Sequence, residues 1–288
     1  MNDFIFTGVC TALVTPFLQD SVNYPMLEQL LRRQAEAGVS AVVICGTTGE
    51  SATLTDEEKL AMFRFARACA PEDMCIIAGT GSNSTAHAIA LSQQAQEAGA
   101  TALLVVSPYY NKATPQGLYR HYAAIAESVH IPVILYNVPS RTGVDIPVEV
   151  YKKLSAIANI AGVKEASTDI RKIARIRALC PSKFAVWCGN DDLVVPALSL
   201  GAKGLISVVS NIEPEMTNAM VNAALDGDFD TAAALQLSLL PLISALFAEV
   251  NPIPVKAAMA LIGYDCGSCR MPLCSPEEKT VRQLKDCL

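Results

Sequence analysis

Short apolar segments alternate with longer amphipathic segments along most of the chain. Eight apolar segments are rich in β-branched residues and predict strands at residues 8–15, 41–45, 75–79, 102–107, 132–137, 160–165, 184–189 and 204–209. The segments between them have helical periodicity, and Thr55 with Glu58 three residues later is the pattern of a capping box. The strands are apolar on both faces, which is typical of a parallel sheet covered by helices.

The regular repeat of strand and helix predicts an α/β fold in which eight parallel strands close into a (β/α)8 TIM barrel. An open, doubly wound sheet is the alternative, but the repeats are regular and the chain has no GxGxxG motif. The helical pattern after the eighth strand is too long for one final barrel helix. We therefore predict a barrel over residues 1–225 and an appended C-terminal helical region over residues 226–288.

The composition and net charge exclude several kinds of protein. The chain has 288 residues, of which 51% are hydrophobic, and a formal net charge of −6. This balance allows a large core, and with no cluster of Lys and Arg it argues against a nucleic-acid partner. No apolar stretch looks as long as the roughly 18 residues of a membrane span, and residues 1–17 lack the basic segment of a signal peptide. We therefore expect a cytoplasmic protein.

Ten cysteines are many for a chain of this length, and the sequence gives no reason for their number. Four of them fall in apolar predicted strands, where a thiol behaves as a small apolar group: Cys10, Cys45, Cys75 and Cys188. The tail CGSCRMPLC holds Cys266, Cys269 and Cys274, and its CxxC spacing is a weak zinc or redox signal. No fourth ligand follows with zinc-finger spacing, so we expect reduced thiols and no metal site.

The strongest candidate for chemistry is Lys164, near the end of the sixth predicted strand. The C-terminal ends of the strands carry the active site in TIM barrels. A neutral amine at a dry barrel mouth can attack a ketone and form a Schiff base. The alternative is a buried ion pair with Glu165 or Asp191. Alternation along the strand turns Glu165 away from the barrel interior, and its role stays open.

Three features at neighbouring strand ends bear on Lys164. Tyr136 ends the fifth strand, where its phenol can exchange protons with the amine or only pack on the barrel rim. The turn GTTGES at 46–51 offers backbone N–H groups to a carboxylate, or is only a tight turn. Arg141, in a following loop, can hold a carboxylate through two hydrogen bonds or be a solvated charge.

The sequence argues against two other kinds of catalytic site. No Ser or Cys at a strand end has a His to serve as its base, so a hydrolase triad is disfavoured. No cluster of His and carboxylate residues predicts a catalytic metal.

Seven segments, in matching order and spacing, resemble the family of dihydrodipicolinate synthases, also called 4-hydroxy-tetrahydrodipicolinate synthases: TALVTPF, GTTGES, GTGSNST, PYYN, YNVPSRTG, GVKEAS and NPIPVK. The resemblance runs from about residue 5 to the C-terminus. It implies a (β/α)8 barrel that condenses pyruvate with L-aspartate-4-semialdehyde in the diaminopimelate and lysine pathway. It also implies that no metal or organic cofactor takes part, and that the protein is a homotetramer of two tight dimers.

The resemblance also implies roles for single residues. By position, Lys164 would form the Schiff base with pyruvate, and Tyr136 would act as acid or base beside it. Thr48 would relay protons between Tyr136 and Tyr110, and Tyr110 would enter from the neighbouring subunit of the tight dimer.

Substrate-binding roles follow in the same way from the resemblance. Thr47 and the backbone around it, with Thr48, would hold the pyruvate carboxylate. Arg141 would bind the carboxylate of the semialdehyde. Gly189 and Ile206 would supply main-chain and packing contacts around the imine.

Lysine-inhibited members of the family bind lysine at the dimer interface. Four positions match that site: Ser51, Ala52, Asn83 and Tyr109. His87, however, stands where a Glu pairs with the lysine amine, and Asp56 and Lys59 stand where such enzymes carry histidines. The loss of this charged hydrogen bond should weaken lysine binding by about 2 kcal/mol or more. We therefore predict weak or absent lysine inhibition.

Two alternative functions remain at this point. A related aldolase that cleaves N-acetylneuraminate or a keto-deoxy sugar acid would share Lys164, Tyr136 and the GTTGE turn. Arg141 in VPSRTG favours the synthase, because those relatives generally lack it. A binding barrel without catalysis is the other alternative, and the set of Lys164, Tyr136, Thr48 and Tyr110 argues against it.

Overall fold

The computed structural model describes residues 4–288. Residues 1–3, which belong to the N-terminal segment that lacks signal-peptide features, lie outside it. The described part of the chain contains ten strands, in chain order β1 (Gly8–Ala12), β2 (Phe17–Leu18), β3 (Ser21–Val22), β4 (Ala41–Ile44), β5 (Cys75–Gly79), β6 (Ala102–Val106), β7 (Val133–Asn137), β8 (Ile160–Glu165), β9 (Ala185–Cys188) and β10 (Gly204–Ser207).

Eight of these strands form a closed, parallel barrel in the order β1-β10-β9-β8-β7-β6-β5-β4. The predicted TIM barrel is confirmed. The first strand is shorter than predicted, because it ends at Ala12 and the chain then enters a small hairpin, in which Phe17 pairs with Val22. Pro16 has no backbone N–H to donate, which disfavours a longer strand.

Residues 4–288 also form twelve α-helices, which are in chain order α1 (Tyr24–Glu36), α2 (Asp56–Cys69), α3 (Thr85–Glu97), α4 (Pro115–Glu127), α5 (Pro139–Thr142), α6 (Val148–Leu154), α7 (Ile170–Leu179), α8 (Val194–Ser199), α9 (Pro214–Leu225), α10 (Phe229–Leu246), α11 (Ile253–Leu261) and α12 (Glu278–Cys287). The predicted capping box at the start of α2 is confirmed. The Thr55 side chain accepts from the Glu58 N–H at 3.2 Å, and the Glu58 carboxylate accepts from the Thr55 N–H at 2.9 Å.

Two separate apolar layers explain why the strands are apolar on both faces. The inner layer fills the barrel with side chains that include Ile77, Leu104, Ile134 and Ile206, all nearly or fully buried. The outer layer lies between the strands and the surrounding helices. Because both layers are packed, a polar side chain on either face needs a specific partner.

The C-terminal helices pack against one another and against the barrel. By length and composition alone, α10 is apolar enough to cross a membrane, contrary to the prediction that no stretch is. Its buried face includes Gln236, whose side-chain oxygen accepts from the Val195 N–H at 2.8 Å at the start of α8. We therefore interpret α10 as a packing helix. The division at residues 225 and 226 stays a prediction.

Candidate active site

Lys164 and Tyr136 lie side by side inside the barrel. They are register partners on β8 and β7, and both are buried. The Lys164 Nζ lies 4.6 Å from the centre of the Tyr136 ring. Neighbouring parallel strands place paired residues on the same face, so this contact follows directly from the barrel register.

Lys164 forms no salt bridge within residues 4–288. The ion-pair alternative is therefore not found, since Glu165 faces outward and Asp191 binds other groups. Asp191 accepts from the Ser207 hydroxyl at 2.7 Å and from the Val208 N–H at 3.0 Å. Burial raises the pKa of Asp191, although these hydrogen bonds and the charge of Lys164 act to lower it. The amine is left available to a ligand.

Gly189 and Ile206 both lie near the lysine side of the barrel. A Cβ on Gly189 would lie 2.6 Å from the Ala166 Cβ, closer than Cβ atoms pack, and 3.1 Å from the Lys164 Cε, so that the lysine chain would have to shift. Glycine at this position therefore leaves the space through which the lysine chain passes. Ile206 is fully buried in the inner layer.

The turn after β4 holds Thr47 and Thr48, and a residue from the distant C-terminal part reaches it. The Thr48 side chain is buried, and its Oγ1 accepts from the Asn251 Nδ2 at 3.0 Å. The Asn251 carbonyl in turn accepts from the Arg141 Nη2 at 3.0 Å. Sequence reasoning missed Asn251, although it lies in the quoted segment NPIPVK.

Arg141 lies on α5, a single short helix between β7 and α6. A cavity of about 670 Å³ opens beside this part of the structure. Thr47, Arg141 and Asn251 line it, whereas Lys164 and Tyr136 are not part of its lining. This volume is in the usual range for small-molecule sites.

Most of the five candidate regulatory positions line the same cavity. Four of them contribute to its lining: Ser51, Ala52, His87 and Tyr109. The fifth, Asn83, contributes no lining and accepts from the Asn111 side chain at 2.9 Å through its carbonyl.

His87 contacts a carboxylate in this cavity. Its Nε2 lies 2.7 Å from the Asp56 Oδ2, and the Lys59 Nζ lies 3.1 Å from the other oxygen of Asp56. Burial alone would raise the pKa of Asp56, but the hydrogen bonds from His87 and Lys59 lower it. The carboxylate is thus occupied by two side chains of its own chain.

Tyr110 is not brought to Lys164 within this chain. It is 90% exposed on the loop after β6, and it forms no hydrogen bond with Lys164, Tyr136 or Thr48 in residues 4–288. Its backbone has a φ of +69°, a left-handed conformation that non-glycine residues seldom adopt. Such conformations persist only where the surrounding structure requires them.

The ten cysteines are all free. Cys10, Cys45 and Cys188 are buried, and burial raises the pKa of Cys188 to about 12. In residues 4–288, no three His, Cys, Asp or Glu side chains are placed to hold a metal ion.

A sequence profile described as the Dihydrodipicolinate synthetase family matches residues 5–288. The chain belongs to the dihydrodipicolinate synthetase family. The 4-hydroxy-tetrahydrodipicolinate synthase of Acetivibrio thermocellus is 49% identical over 288 residues, which cover 100% of this chain and 98% of that protein. That of Lachnoclostridium phytofermentans is 48% identical over 284 residues, or 98% of this chain and 97% of that protein.

Solved structures of the dihydrodipicolinate synthetase family share the fold. The dihydrodipicolinate synthase of Aquifex aeolicus superposes with a TM-score of 0.96 at 41% identity, covering 98% of this chain and 96% of that chain. The one from Thermotoga maritima gives 0.97 at 40% identity, covering 98% and 97%. The resemblance drawn from seven sequence segments is therefore confirmed at the level of the family.

Proposed function

We propose that this protein condenses pyruvate with L-aspartate-4-semialdehyde through a Schiff base on Lys164, in diaminopimelate and lysine biosynthesis. It is then a lyase of the Schiff-base aldolase type, a 4-hydroxy-tetrahydrodipicolinate synthase. The observation that carries the proposal is a buried lysine at a strand end, against Tyr136 and without a salt-bridge partner in residues 4–288. The names of the full-length relatives support the same activity.

The chemistry follows from an amine held next to a phenol. The Lys164 Nζ attacks the ketone carbon of pyruvate, and loss of water gives a protonated imine. The imine accepts electrons, so a methyl proton leaves and an enamine forms. The enamine carbon attacks the aldehyde carbon of the semialdehyde. The amine of the product then displaces Lys164 as the ring closes, which regenerates the enzyme.

Each of these steps moves a proton, and Tyr136 is the nearest candidate to carry it. Because the Thr48 Oγ1 accepts from Asn251, its own hydroxyl proton is free to point elsewhere. Thr48 therefore suits the role of a relay that donates onward to a phenol. A short chain of hydroxyls moves protons without admitting bulk water.

Substrate binding is assigned to residues on both the cavity side and the lysine side of the site. Thr47, the Thr48 turn, Gly189 and Ile206 contact pyruvate and its imine in this proposal. One Arg141 nitrogen is held by the Asn251 carbonyl, which fixes the guanidinium and leaves its other N–H groups for the carboxylate of the semialdehyde.

The proposed assembly is a homotetramer of tight dimers in the cytoplasm. The exposed, left-handed Tyr110 supports it, because a phenol that turns away from its own site is suited to complete the site of a neighbouring subunit. Tyr110 is then the far end of the Tyr136–Thr48 relay, contributed across the dimer.

The alternative in the same class is cleavage of N-acetylneuraminate or a keto-deoxy sugar acid. It shares Lys164 and Tyr136, but it gives no role to Arg141 beside the cavity, and the curated relatives quoted above carry the synthase name. Comparing turnover of aspartate-4-semialdehyde plus pyruvate with turnover of N-acetylneuraminate separates the two.

Borohydride reduction in the presence of pyruvate tests the proposal directly. We expect a pyruvate-dependent mass increase on the peptide that contains Lys164, and none in Lys164→Ala. Omitting pyruvate is the matched control, because borohydride alone leaves an amine unchanged. An unmodified Lys164 peptide in the wild-type protein would remove the Schiff-base mechanism.

Lysine inhibition is expected to be weak or absent. The carboxylate of Asp56 is already engaged by His87 and Lys59, so a cationic ligand gains little from it. A titration of the condensation rate with L-lysine measures this, with half-inhibition expected at millimolar concentrations or above. Half-inhibition below the millimolar range would contradict the prediction.

A further inference from the structure

Behind the reacting pair lies a second pair of residues on the outer face of the barrel. Glu165 follows Lys164 on β8, Asn137 follows Tyr136 on β7, and the two are register partners. Both are buried, with Glu165 1% and Asn137 0% exposed. A buried carboxylate and amide on an apolar face need several hydrogen bonds to offset their desolvation.

Glu165 obtains those hydrogen bonds from three sides. One oxygen accepts from the Asn137 Nδ2 at 2.8 Å and from the Ser167 N–H at 2.9 Å. The other accepts from the Tyr151 hydroxyl at 3.2 Å and lies 3.9 Å from the Lys172 Nζ. Burial and the nearby charge of Glu165 raise the pKa of Tyr151, so the phenol stays a donor.

Asn137 extends the same network to the segment that carries Arg141. Its Nδ2 also donates to an Asp145 oxygen at 2.8 Å, and its side-chain oxygen accepts from the Ile146 N–H at 3.0 Å. The Asn137 side chain, at the end of β7, is therefore hydrogen-bonded both to the end of β8 and to the segment between α5 and α6.

This link is specific to the strands that carry the reaction. Among the barrel strands in residues 4–288, only β7 and β8 are joined directly by a hydrogen bond between side chains. We propose that Asn137 and Glu165 are positioning residues for the condensation, which hold the two strand ends in the register that sets the Lys164 amine against Tyr136. The inference rests on the proposed function, and neither residue touches substrate.

The test compares variants on the two sides of the barrel. Glu165→Leu removes the acceptor, whereas Glu165→Gln keeps an oxygen for Asn137 and Ser167. Gln34→Leu is the matched control, because Gln34 is also buried and joins β1 to α1 by accepting from the Thr11 hydroxyl at 2.6 Å. Measurements are the rate of borohydride-trapped adduct at saturating pyruvate, kcat, KM and Tm.

We expect Glu165→Leu to slow adduct formation and kcat by about tenfold or more per folded molecule, since a misplaced reactive group costs rate steeply. Glu165→Gln should restore most of the rate. Gln34→Leu should lower Tm but keep adduct formation near the wild-type rate. A merely structural role for Glu165 predicts instead that both Leu variants lose Tm and keep kcat.

Two results would overturn the inference: a folded Glu165→Leu protein that forms adduct at the wild-type rate, or an equal slowing in Gln34→Leu. Should Glu165→Leu fail to fold, Asn137→Ser, which removes the same link with a smaller side chain, must show the same slowing. Failure of the proposed function is distinguishable, because the wild-type protein itself would then form no adduct on Lys164.

Discussion

Two glutamates lie just beyond the residues assigned to the chemistry, and they are held in different ways. Glu165 follows Lys164 directly, and Glu50 lies in the turn that contains Thr48. Both are buried and both lie near a buried lysine: Lys172 for Glu165, and Lys256 for Glu50 at 2.9 Å. A buried carboxylate near a buried lysine thus lies behind each half of the site, as a close ion pair for Glu50 and as a longer contact for Glu165.

The difference lies in where the partners come from. Glu165 sits in a regular strand, and its partners belong to residues 137–172, within consecutive strand–helix units. Glu50 has a left-handed φ of +55° and is bound by Lys256 on α11 and by the Arg270 N–H at 2.9 Å. The barrel supports its lysine by itself, whereas the threonine turn depends on the C-terminal helices.

Removing Lys256 should have the largest effect on stability. Lys256→Met leaves the Glu50 carboxylate fully buried without its cation, and breaking a buried pair in this way costs about 3 to 5 kcal/mol. We expect that loss in the free energy of unfolding measured by urea denaturation, together with slower turnover, because the Thr48 turn loses its anchor. Unfolding within error of the wild type would contradict the dependence on the C-terminal helices.

Removing Lys172 should lower the free energy of unfolding by less than removing Lys256 does. Lys172→Met removes the hydrogen bond from Lys172 to Asp145 and a longer contact with Glu165. Glu165 keeps its hydrogen bonds from Asn137, Ser167 and Tyr151, so roughly 1 to 3 kcal/mol is expected, as for a hydrogen bond to a charged group. The same urea measurement gives the value. A loss equal to that of Lys256→Met would mean that the two glutamates are supported alike.

The smallest expected effect is on the pH dependence of stability, through the ion pair between Glu58 and Arg270. The hydrogen bond from Arg270 lowers the pKa of Glu58 below its ordinary value of 4.5. A lowered carboxyl pKa stabilises the fold above the ordinary value, and that contribution is lost as the pH falls through the lowered one. Arg270→Met should therefore remove a pH-dependent contribution of less than about 1 kcal/mol, which is present at pH 7 and is lost in acid.

Urea titrations of wild type and Arg270→Met at neutral and acidic pH measure this difference. Lys285→Met offers a control on a helix remote from Glu58 and should shift neither curve. A penalty that grows as the pH falls would contradict the assigned direction.

Much of the fold was predictable because it depends on local pattern. Two-sided apolar strands, the Thr55 capping box and the outward turn of Glu165 all follow from periodicity within a few residues. The position of Lys164 at a barrel mouth follows from the rule that strand ends carry the site. Its contact with Tyr136 follows from strand order.

The rest depends on contacts between residues far apart in sequence. Asn251 binds Thr48 across 203 residues, and Lys256 binds Glu50 across 206. No local periodicity encodes such contacts, since each depends on how the C-terminal helices fold back over the barrel. The hairpin of β2 and β3 was missed for a related reason, because strands of two residues are too short to show a pattern.

The absence of a side chain at Gly189 has a consequence for how this site can change. A larger residue there would collide with Ala166 and press on the Lys164 chain, so enlarging this position should be destabilising. A new substrate specificity is therefore more accessible from the Arg141 side, where the cavity is open, than from the lysine side. At the barrel mouth, the Gly189 side has no room for a larger side chain, whereas the cavity beside Arg141 does.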